Sequence, residues 1–361
     1  MSTKPIQRRT SRAVKIGSVI IGGGFPVAIQ SMTNTLTHDV GATVAQARVL
    51  FEAGCEIVRI AVPNERAAAV LPNLRRELDG PLVADIHFNH KLALAAIEAG
   101  FDKIRINPGN LDDPGKVRAV AEAAGKHGVA IRVGVNSGSL PGDLRERFGH
   151  DNPEAFAEAA LRQAQILEEA GFSDIVLAVK STDVVTAVQA CRRLAERCDY
   201  PLHLGITEAG TRETGAIKSA VGLGALLLDG IGDTIRVSLT ADPVEEVGVA
   251  RQILRACALK REGVEVISCP TCARAGIDIV RLASSIEART HRIKTPLRVA
   301  VMGCVVNGPG EASAADVGVA GGDGKGVLIK KGEIVATLSE DELESALLAE
   351  IEAMTGERPE G

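Results

Sequence analysis

Aromatic side chains are scarce in this chain of 361 residues, which has no Trp, one Tyr and seven Phe. Proteins that bind single-stranded nucleic acid commonly stack bases on aromatic rings, and most nucleic-acid-binding proteins carry excess positive charge. The formal net charge here is −5 at pH 7. The composition therefore gives no reason to expect a nucleic acid or an anionic membrane as partner.

Long apolar runs are also missing, since none reaches the roughly 20 residues that a membrane-spanning helix needs. The N-terminal segment is basic, but its apolar stretch at residues 19–21 ends at Gly22 and is too short for the core of a signal peptide. Seven cysteines, an odd number, fit a reducing compartment better than a disulfide framework. We therefore expect a cytoplasmic protein.

What the chain does contain, from residue 26 to about 261, is an alternation of short β-branched runs with amphipathic helical runs. Helical stretches include residues 44–53, 91–99, 153–170 and 243–260, and several stretches end at a glycine. The predicted strands are residues 26–31, 56–62, 82–87, 103–107, 130–135, 174–180, 202–207 and 234–239.

Eight strand–helix units in about 235 residues match the size of a (β/α)8 TIM barrel. A doubly wound open sheet is the competing fold, but no Gly-x-Gly-x-x-Gly follows the first strand. We expect the segment before residue 26 to form a hairpin that closes the barrel floor. The fold class is therefore α/β, with the barrel occupying residues 1–262.

The pattern changes after residue 260. Strands are predicted at residues 264–267, 297–302, 326–329 and 333–337, and helices at 278–289 and 340–354. The glycine-rich segment 321–326 precedes a strand and no helix, so it is predicted to be a turn and not a phosphate loop. Residues 263–361 are thus expected to form a smaller α+β domain.

Polar residues concentrate where the predicted barrel strands end, which is where such barrels carry their active sites. Five permanent cations from five strands would share this mouth, so a bound polyanion is the simplest explanation. The alternative is a set of ion pairs layered inside the barrel. The polar residues are Gln30, Ser31, Arg59, Asp85, His87, Arg105, Asn107, Arg132, Asn136, Lys180, Glu208, Arg236 and Ser238.

Three cysteines of the second domain have metal-ligand spacing. Cys269 and Cys272 are two residues apart, Cys304 follows after 31 intervening residues, and Glu311 lies seven positions further on. Zinc sites most often use four Cys or His ligands, whereas three thiolates leave one iron of a cubane cluster open to an oxygen ligand such as Glu311. The spacing favours an iron–sulfur cluster and leaves zinc open.

Two smaller features are left open or set aside. His87 and His90 have metal-like spacing, but no third ligand lies near them in the sequence, so no metal is expected there. The Gly- and Pro-rich segment 138–152 after the fifth strand is interpreted either as a lid or as a solvated loop.

Seven motifs resemble one family, the 4-hydroxy-3-methylbut-2-enyl diphosphate synthases, in their short two-domain bacterial form. The resemblance runs nearly from end to end, and we see no departure at the cluster positions. The motifs are AIQSMTNT at residues 28–35, ADIHF at 84–88, RINPGN at 105–110, GVNSGSL at 134–140, HLGITEAG at 203–210, SCPTCAR at 268–274 and GCVVNGPGE at 303–311.

The resemblance implies a two-electron reduction of 2-C-methyl-D-erythritol 2,4-cyclodiphosphate, with ring opening and loss of water, on the methylerythritol phosphate route to isoprenoids. It implies a 4Fe-4S cluster held by Cys269, Cys272, Cys304 and Glu311, with Glu311 giving up its place to the substrate. Flavodoxin or ferredoxin would deliver the electrons. Expected substrate-binding residues are Arg59, Asp85, His87, Arg105, Asn107, Arg132, Asn136, Lys180, Arg236 and Ser238.

Loss of a hydroxyl as water needs a proton donor, for which Glu208 is the first choice and His87 the second. The barrel topology also predicts a head-to-tail homodimer. Each helix returns the chain to the floor, and the short linker at residues 261–263 could hardly carry the cluster domain round to the mouth of its own barrel.

Two other functions share parts of this pattern. A pteroate-synthase-like transferase with structural zinc would use the same phosphate-binding mouth. A non-enzymatic iron–sulfur carrier would use the cysteines but would not need the cationic mouth.

Overall fold

The computed structural model describes residues 6–86, 89–106, 113–136, 138, 140–304, 308–313, 315–322 and 324–360, with only the backbone at positions 309 and 311. Internal contacts divide the chain into two compact units, Met1–Lys260 and Arg261–Gly361. The division falls two residues before the expected domain boundary. We describe each unit by itself.

Eight parallel strands form the sheet of the first unit, in the spatial order β8-β7-β6-β5-β4-β3-β10-β9. A parallel bridge between Leu177 and Leu202 joins β8 to the segment that leads into β9 and closes the ring. The predicted TIM barrel is confirmed. Its strands are β3 (Ala28–Met32), β4 (Ile57–Ala61), β5 (Leu82–Asp85), β6 (Lys103–Ile106), β7 (Ala130–Asn136), β8 (Ile175–Lys180), β9 (His203–Leu204) and β10 (Thr234–Ile235).

Helices lie between the strands, and several begin at an Asp or Asn whose side chain accepts a hydrogen bond from the first turn, as Asp183 does from the Thr186 amide. Segment 138–152 contains a short helix, α6. The helices are α1 (Val40–Glu52), α2 (Glu65–Ala68), α3 (Leu71–Glu77), α4 (His90–Glu98), α5 (Pro114–His127), α6 (Gly142–Phe148), α7 (Pro153–Glu169), α8 (Val184–Arg197), α9 (Arg212–Leu228) and α10 (Pro243–Ala256).

The two faces of each barrel strand have different partners because successive side chains point to opposite sides. Outward residues such as Ile104, Ile131 and Leu177 join the large apolar core that the helices cover. Residues one position away point into the barrel. Most of the chemistry described below follows from this alternation.

An N-terminal hairpin closes the bottom of the barrel, as predicted. It consists of the antiparallel strands β1 (Val14–Ile16) and β2 (Val19–Ile21). Val14, Ile16 and Ile21 pack in one cluster with the first inward residues of five strands, which are Ala28, Ile57, Val83, Ala130 and Val176. The floor is therefore apolar and closed.

The second unit contains one five-stranded sheet in the order β11-β12-β13-β14-β15, parallel from β11 to β13 and antiparallel from β13 to β15. The α+β prediction is confirmed. The elements are β11 (Val264–Ser268), α11 (Ile279–Thr290), β12 (Leu297–Met302), α12 (Gly308–Ala312), β13 (Val317–Gly322), β14 (Lys325–Lys330), β15 (Glu333–Ser339) and α13 (Glu340–Thr355).

Strand β13 was missed. The turn predicted over 321–326 was wrong for its first two residues, which end β13, and for its last two, which begin β14. The glycines of β13 suggest a loop, but tertiary contacts require them. A Cβ at Gly318 would lie 2.7 Å from the Ala300 Cβ, and a Cβ at Gly321 would lie 2.4 Å from the Ile277 Cγ2.

Across the described residues, no helix combines the length and apolarity needed to cross a bilayer.

Candidate active site

A cavity of about 180 Å³ opens at the carboxyl ends of the barrel strands. All five cations predicted to share a mouth line it. Of the other predicted substrate-binding residues, His87 and Asn107 lie outside the described residues. The lining residues are Arg59, Asp85, Arg105, Arg132, Gly134, Val135, Asn136, Ala178, Lys180, Thr207, Arg236 and Ser238.

Strand register brings these side chains together. Asp85 on β5 pairs with Arg105 on β6, which in turn pairs with Arg132 on β7. Asn136 at the end of β7 pairs with Lys180 at the end of β8. Because parallel strands in register point corresponding side chains to the same side, a run of polar residues faces the barrel axis.

Two inward glycines make room for the cations, a role that the sequence alone did not reveal. A Cβ at Gly134 would lie 3.0 Å from the Arg105 Nε. A Cβ at Gly205 would lie 3.0 Å from the Lys180 Nζ and 2.9 Å from the Arg236 carbonyl oxygen. Both glycines lie in motifs that carry the family resemblance, at residues 134–140 and 203–210. Their place in those motifs could have singled them out from the sequence.

Two carboxylates partly balance the cavity. Asp85 Oδ1 lies 3.4 Å from the Arg105 Nη1, and Asp85 Oδ2 lies 4.0 Å from the Arg59 Nε. Glu246, buried on α10, accepts hydrogen bonds from Arg236 Nε and Nη2 at 3.3 Å each and from the Ser31 hydroxyl at 3.0 Å. The ion-pair alternative is therefore correct for part of the set.

Arg132 and Lys180 make no ion pair with any residue that the structure describes. Arg132 is only 2% exposed, and its Nε and Nη1 have no hydrogen-bond partner there. Burial, together with repulsion from Arg59 and Arg105, holds the pKa of Arg132 well below its ordinary value. Unpaired buried guanidinium groups are costly, and an anion bound between them would reduce that cost.

The neighbouring cations show the same mutual repulsion. Burial lowers the pKa of Arg59 to about 10, with Asp85 opposing the shift and Arg236 and Arg105 adding to it. Burial and the surrounding arginines also hold the pKa of Lys180 well below its ordinary value. A ligand with two negative charges would relieve several of these interactions at once.

A polar layer that sequence reasoning largely missed lies deeper in the barrel. Lys103 donates a hydrogen bond to the Gln30 Oε1 at 3.2 Å, and His203 Nδ1 lies 2.7 Å from the Thr234 hydroxyl oxygen. All four residues are buried. Lys103, His203 and Thr234 lie at the first positions of their strands, so a search of strand ends does not find them.

A second cavity, of about 370 Å³, adjoins the first through Arg236 and is lined by the loops that follow β3 and β10. It is the larger of the two, but Met32, Leu239 and Pro243 make much of its wall apolar. The electrostatic features of an anion site belong to the smaller cavity.

Glu208, the predicted proton donor, lies in the loop after β9 with its side chain exposed. It does not line the cavity in this structure. Its φ is +50°, a region that non-glycine residues rarely occupy and that is often found at functional sites. Its role as proton donor stays a prediction.

The cysteine loops of the second unit lie at one end of the sheet, because β11 and β12 are parallel neighbours. Cys269 and Cys272 follow β11, and Cys304 follows β12. The Gly303 amide donates to the Cys269 Sγ at 3.2 Å, and the Gly276 amide donates to the Gly303 carbonyl oxygen at 2.9 Å. The two loops are thus held together by hydrogen bonds.

These thiols are suited to a metal centre by their chemistry. None of the seven cysteines forms a disulfide, and Cys272 is exposed. Glu311 belongs to helix α12, and its side chain is not described. Within the described residues, no three His, Cys, Asp or Glu side chains are gathered closely enough to hold a metal ion. By its chemistry, a donor set of three thiols and a carboxylate fits an iron–sulfur cluster.

Solved structures with a similar fold include dihydropteroate synthases. That of Stenotrophomonas maltophilia superimposes with a TM-score of 0.52 at 19% identity, covering 69% of this chain and 98% of its own. A sulfonamide complex of the Yersinia pestis enzyme gives 0.51 at 13% identity, covering 69% and 100%. At such identities the likeness establishes the barrel fold alone.

Sequence relatives are much closer. The chain is 55% identical to a 4-hydroxy-3-methylbut-2-en-1-yl diphosphate synthase (flavodoxin) from Caldanaerobacter subterraneus subsp. tengcongensis, over 97% of this chain and 99% of the relative. It is 53% identical to the same-named protein of Geobacillus thermodenitrificans, over 98% and 94%, and 54% identical to that of Nitratidesulfovibrio vulgaris, over 92% and 86%.

Family models cover both units. Residues 11–251 match the GcpE TIM-barrel domain, and residues 265–353 match the GcpE protein C-terminal domain. These matches extend over most of the chain, and they agree with the barrel and the separate five-stranded sheet. This chain therefore belongs to the GcpE family.

Proposed function

We propose that this chain catalyses the reaction of the flavodoxin-dependent 4-hydroxy-3-methylbut-2-en-1-yl diphosphate synthases, after which its relatives are named. It is an oxidoreductase of isoprenoid biosynthesis. It opens the ring of 2-C-methyl-D-erythritol 2,4-cyclodiphosphate with two electrons and releases water. Neither the transferase nor the carrier alternative is favoured by this family membership.

The observation that carries the proposal is the cavity in which five cations meet, two of them without an ion-pair partner among the described residues. A cyclic diphosphate has two phosphates joined to one carbon chain, each with one negative charge. Arg132 and Lys180 are therefore its natural first contacts. Arg59, Arg105 and Arg236 can turn from Asp85 and Glu246 towards it, with Asn136 and Ser238 as hydrogen-bond donors.

The barrel residues do more than neutralise charge. The apolar floor excludes water from below, and the buried guanidinium groups fix the ring of the substrate in one orientation. As the ring opens, a diphosphate group leaves carbon and gains charge, and the same cations stabilise that charge in a site of low dielectric constant.

For the second unit, we propose that Cys269, Cys272, Cys304 and Glu311 hold a 4Fe-4S cluster. When bound, the cluster passes on electrons one at a time and supplies a Lewis-acidic iron. The Gly303 amide that donates to Cys269 Sγ would lower the negative charge on that sulfur. Flavodoxin is the donor that the relatives' names indicate, and ferredoxin stays an alternative.

Proton delivery is assigned to Glu208, with His87 as the second candidate. Glu208 is exposed in this structure, so its loop must bring the carboxyl group to the cavity when substrate binds. The positive φ at this residue is a rarely populated backbone conformation of the kind that clusters at functional sites. We also place the enzyme in the cytoplasm, on the basis of its cysteine usage.

We further propose a head-to-tail homodimer, in which the cluster domain of one chain serves the barrel of the other. Lys260, the last residue of the first unit, contacts Glu56 at 3.2 Å, and Glu56 immediately precedes β4. The chain thus leaves the barrel at the floor, whereas the cationic cavity lies at the opposite end of the strands.

The deciding experiment is anaerobic reconstitution with iron and sulfide, followed by an assay with the cyclic diphosphate and reduced flavodoxin. Cys304→Ser and Glu311→Ala should lower turnover by orders of magnitude without unfolding the barrel. Cys198→Ser, a half-buried barrel cysteine far in sequence from the proposed cluster, is the matched control. Full turnover by iron-free protein would refute the proposal, and iron and zinc analysis would identify the metal.

A further inference from the structure

Lys103 is a buried lysine that the proposed reaction does not use. It begins β6, points into the barrel and is 0% exposed. Its register partners on the neighbouring strands are Val83 and Ala130, both part of the apolar floor cluster. The amine therefore lies between a closed apolar floor and the cationic cavity above it.

The surroundings of this amine offer it no negative charge. Its Nζ donates one hydrogen bond, to the neutral Gln30 on β3. The charged groups that face it are Arg59 on β4 and Arg132 on β7. His203 on β9 is also close enough to interact electrostatically with Lys103. In the described part of the chain, no carboxylate pairs with Lys103, although buried ammonium groups normally have such a partner.

This arrangement favours the uncharged amine. Burial, followed by repulsion from Arg132 and Arg59, holds the pKa of Lys103 well below its ordinary value. The same arginines line the cavity in which the diphosphate is proposed to bind. A dianion in that cavity would cancel the repulsion that keeps the proton away, so occupancy of the cavity and charge on the lysine are coupled.

We propose that Lys103 is a neutral amine in the empty barrel and takes up a proton from solvent when the diphosphate binds above it. The inference rests on the proposed function for its ligand. The proton places a sixth cation beneath the phosphates. Ring opening turns a phosphodiester into a terminal phosphate with one more ionisable oxygen, so this charge stabilises the product side of the reaction. Lys103 is a positioning residue, since its charge acts through Arg132 and through the electrostatic potential inside the barrel.

The test is calorimetric titration of the cluster-loaded enzyme, without reductant, with the cyclic diphosphate at one pH in buffers of different ionisation enthalpy. Both phosphates of this ligand are diesters and keep a constant charge near neutral pH, so the buffer dependence counts protons taken up by the protein. We expect net uptake approaching one proton per site in the unchanged chain. No uptake there would overturn the proposal without any variant.

Variants assign the proton. Lys103→Met and Lys103→Arg should both abolish the uptake, the first because no base remains and the second because its charge is permanent. Lys126→Met, an exposed lysine near the end of α5, should keep it. Full uptake in folded Lys103→Met or Lys103→Arg would assign the proton elsewhere, with Lys180 the first candidate, and would overturn the proposal.

A second ligand separates this inference from the proposed function. Sulfate is a dianion of constant charge, and the proton uptake by the protein that accompanies sulfate binding can be followed in a pH-stat. Uptake with sulfate that Lys103→Met abolishes would support the inference even if the cyclic diphosphate proved not to be a substrate. If the enzyme turned over the cyclic diphosphate but took up no proton on binding it without reductant, the function would stand and the inference would be removed.

Discussion

At the scale of single residues, the site shows several charges that ligand-free packing cannot explain. Arg132 is buried with two nitrogens unpartnered among the described residues, and Lys180 makes no ion pair there. Buried unpaired cations destabilise a fold, so a sequence selected for stability alone would carry apolar residues at such positions. The cations around the cavity therefore repel one another, and a bound polyanion would reduce that repulsion.

Replacing Arg132 with Met should separate binding from stability. We expect Arg132→Met to raise the thermal unfolding midpoint of the empty chain, because an uncompensated buried charge is removed. The affinity for the cyclic diphosphate should fall at least tenfold, since hydrogen bonds to charged groups contribute about 1.5–3 kcal/mol each. Calorimetry measures both quantities.

The matched control for this change is Arg162→Met. Arg162 lies on α7 and forms surface ion pairs with Asp143 and Glu158, outside the cavity. Both the unfolding midpoint and the affinity should stay nearly unchanged, because exposed pairs contribute little. An Arg132 variant that binds as tightly as the unchanged chain would remove that guanidinium from the proposed phosphate site.

His203 should make the barrel sensitive to acid. Burial, with repulsion from Arg132 and Lys180, holds the pKa of His203 well below its ordinary 6.5. Below pH 6.5 this histidine binds a proton in the unfolded chain but stays neutral in the folded chain. The free energy of unfolding should therefore decrease as the pH is lowered below 6.5, by up to about 1.4 kcal/mol per pH unit from this residue.

The pH dependence of unfolding between pH 7.5 and 5.5 checks this expectation. His203→Gln should flatten the slope, because an amide can keep the bond to Thr234 and does not titrate. His150→Gln changes an exposed histidine before α7 and should leave the slope as it was. If the His203 variant and the unchanged chain lost stability in parallel, another group would be responsible.

At the scale of elements, the strands carry out two tasks with one alternation. Outward positions of β6 and β7 hold Ile104, Ile131 and Val133, which pack against the helices. Inward positions hold an apolar floor, a polar layer and then the cavity. Because the floor is sealed by a hairpin and not by the strands themselves, the integrity of the barrel depends on a short N-terminal element.

The hairpin offers a paired test of this dependence. Ile16 is fully buried in the floor cluster, whereas Ile20 on the same hairpin is 37% exposed. Ile16→Ala should lower the free energy of unfolding by about 2–4 kcal/mol, since it leaves a cavity under the strands. Ile20→Ala should cost far less. Denaturant unfolding compares them, and equal losses would mean that the hairpin does not seal the floor.

At the scale of the whole molecule, the proposed dimer requires one active site to be built from two chains. A chain with Arg132→Met would lack a working barrel and keep its cluster domain, and a chain with Cys304→Ser would have the opposite defect. Co-expression with two different tags isolates the heterodimer. If the domains work in trans, the heterodimer should have about half of the activity of the dimer of unsubstituted chains, because one of its two sites is intact.

Each variant expressed alone is the control, and both should be nearly inactive. A heterodimer as inactive as its parents would show that each cluster domain serves the barrel of its own chain. That result would remove the head-to-tail arrangement and leave the proposed reaction untouched.

The sequence by itself predicted the barrel, the second α+β unit and the five cations, because each depends on local patterns. Period-two alternation places Arg59, Arg105 and Arg132 inward wherever the strands are correctly assigned. Spacing also singled out Cys269, Cys272 and Cys304 as possible ligands. These features need only the chain's own periodicity and the rule that barrel sites lie at strand ends.

Only the tertiary structure decided which charges are paired and which are not. Glu246 looks like an ordinary acidic residue in the first turn of α10, yet it holds Arg236 and Ser31. Lys103 and His203 begin their strands and gave no signal of a polar layer. Burial, desolvation and ion pairing depend on residues far apart in sequence, and so no local pattern could determine them.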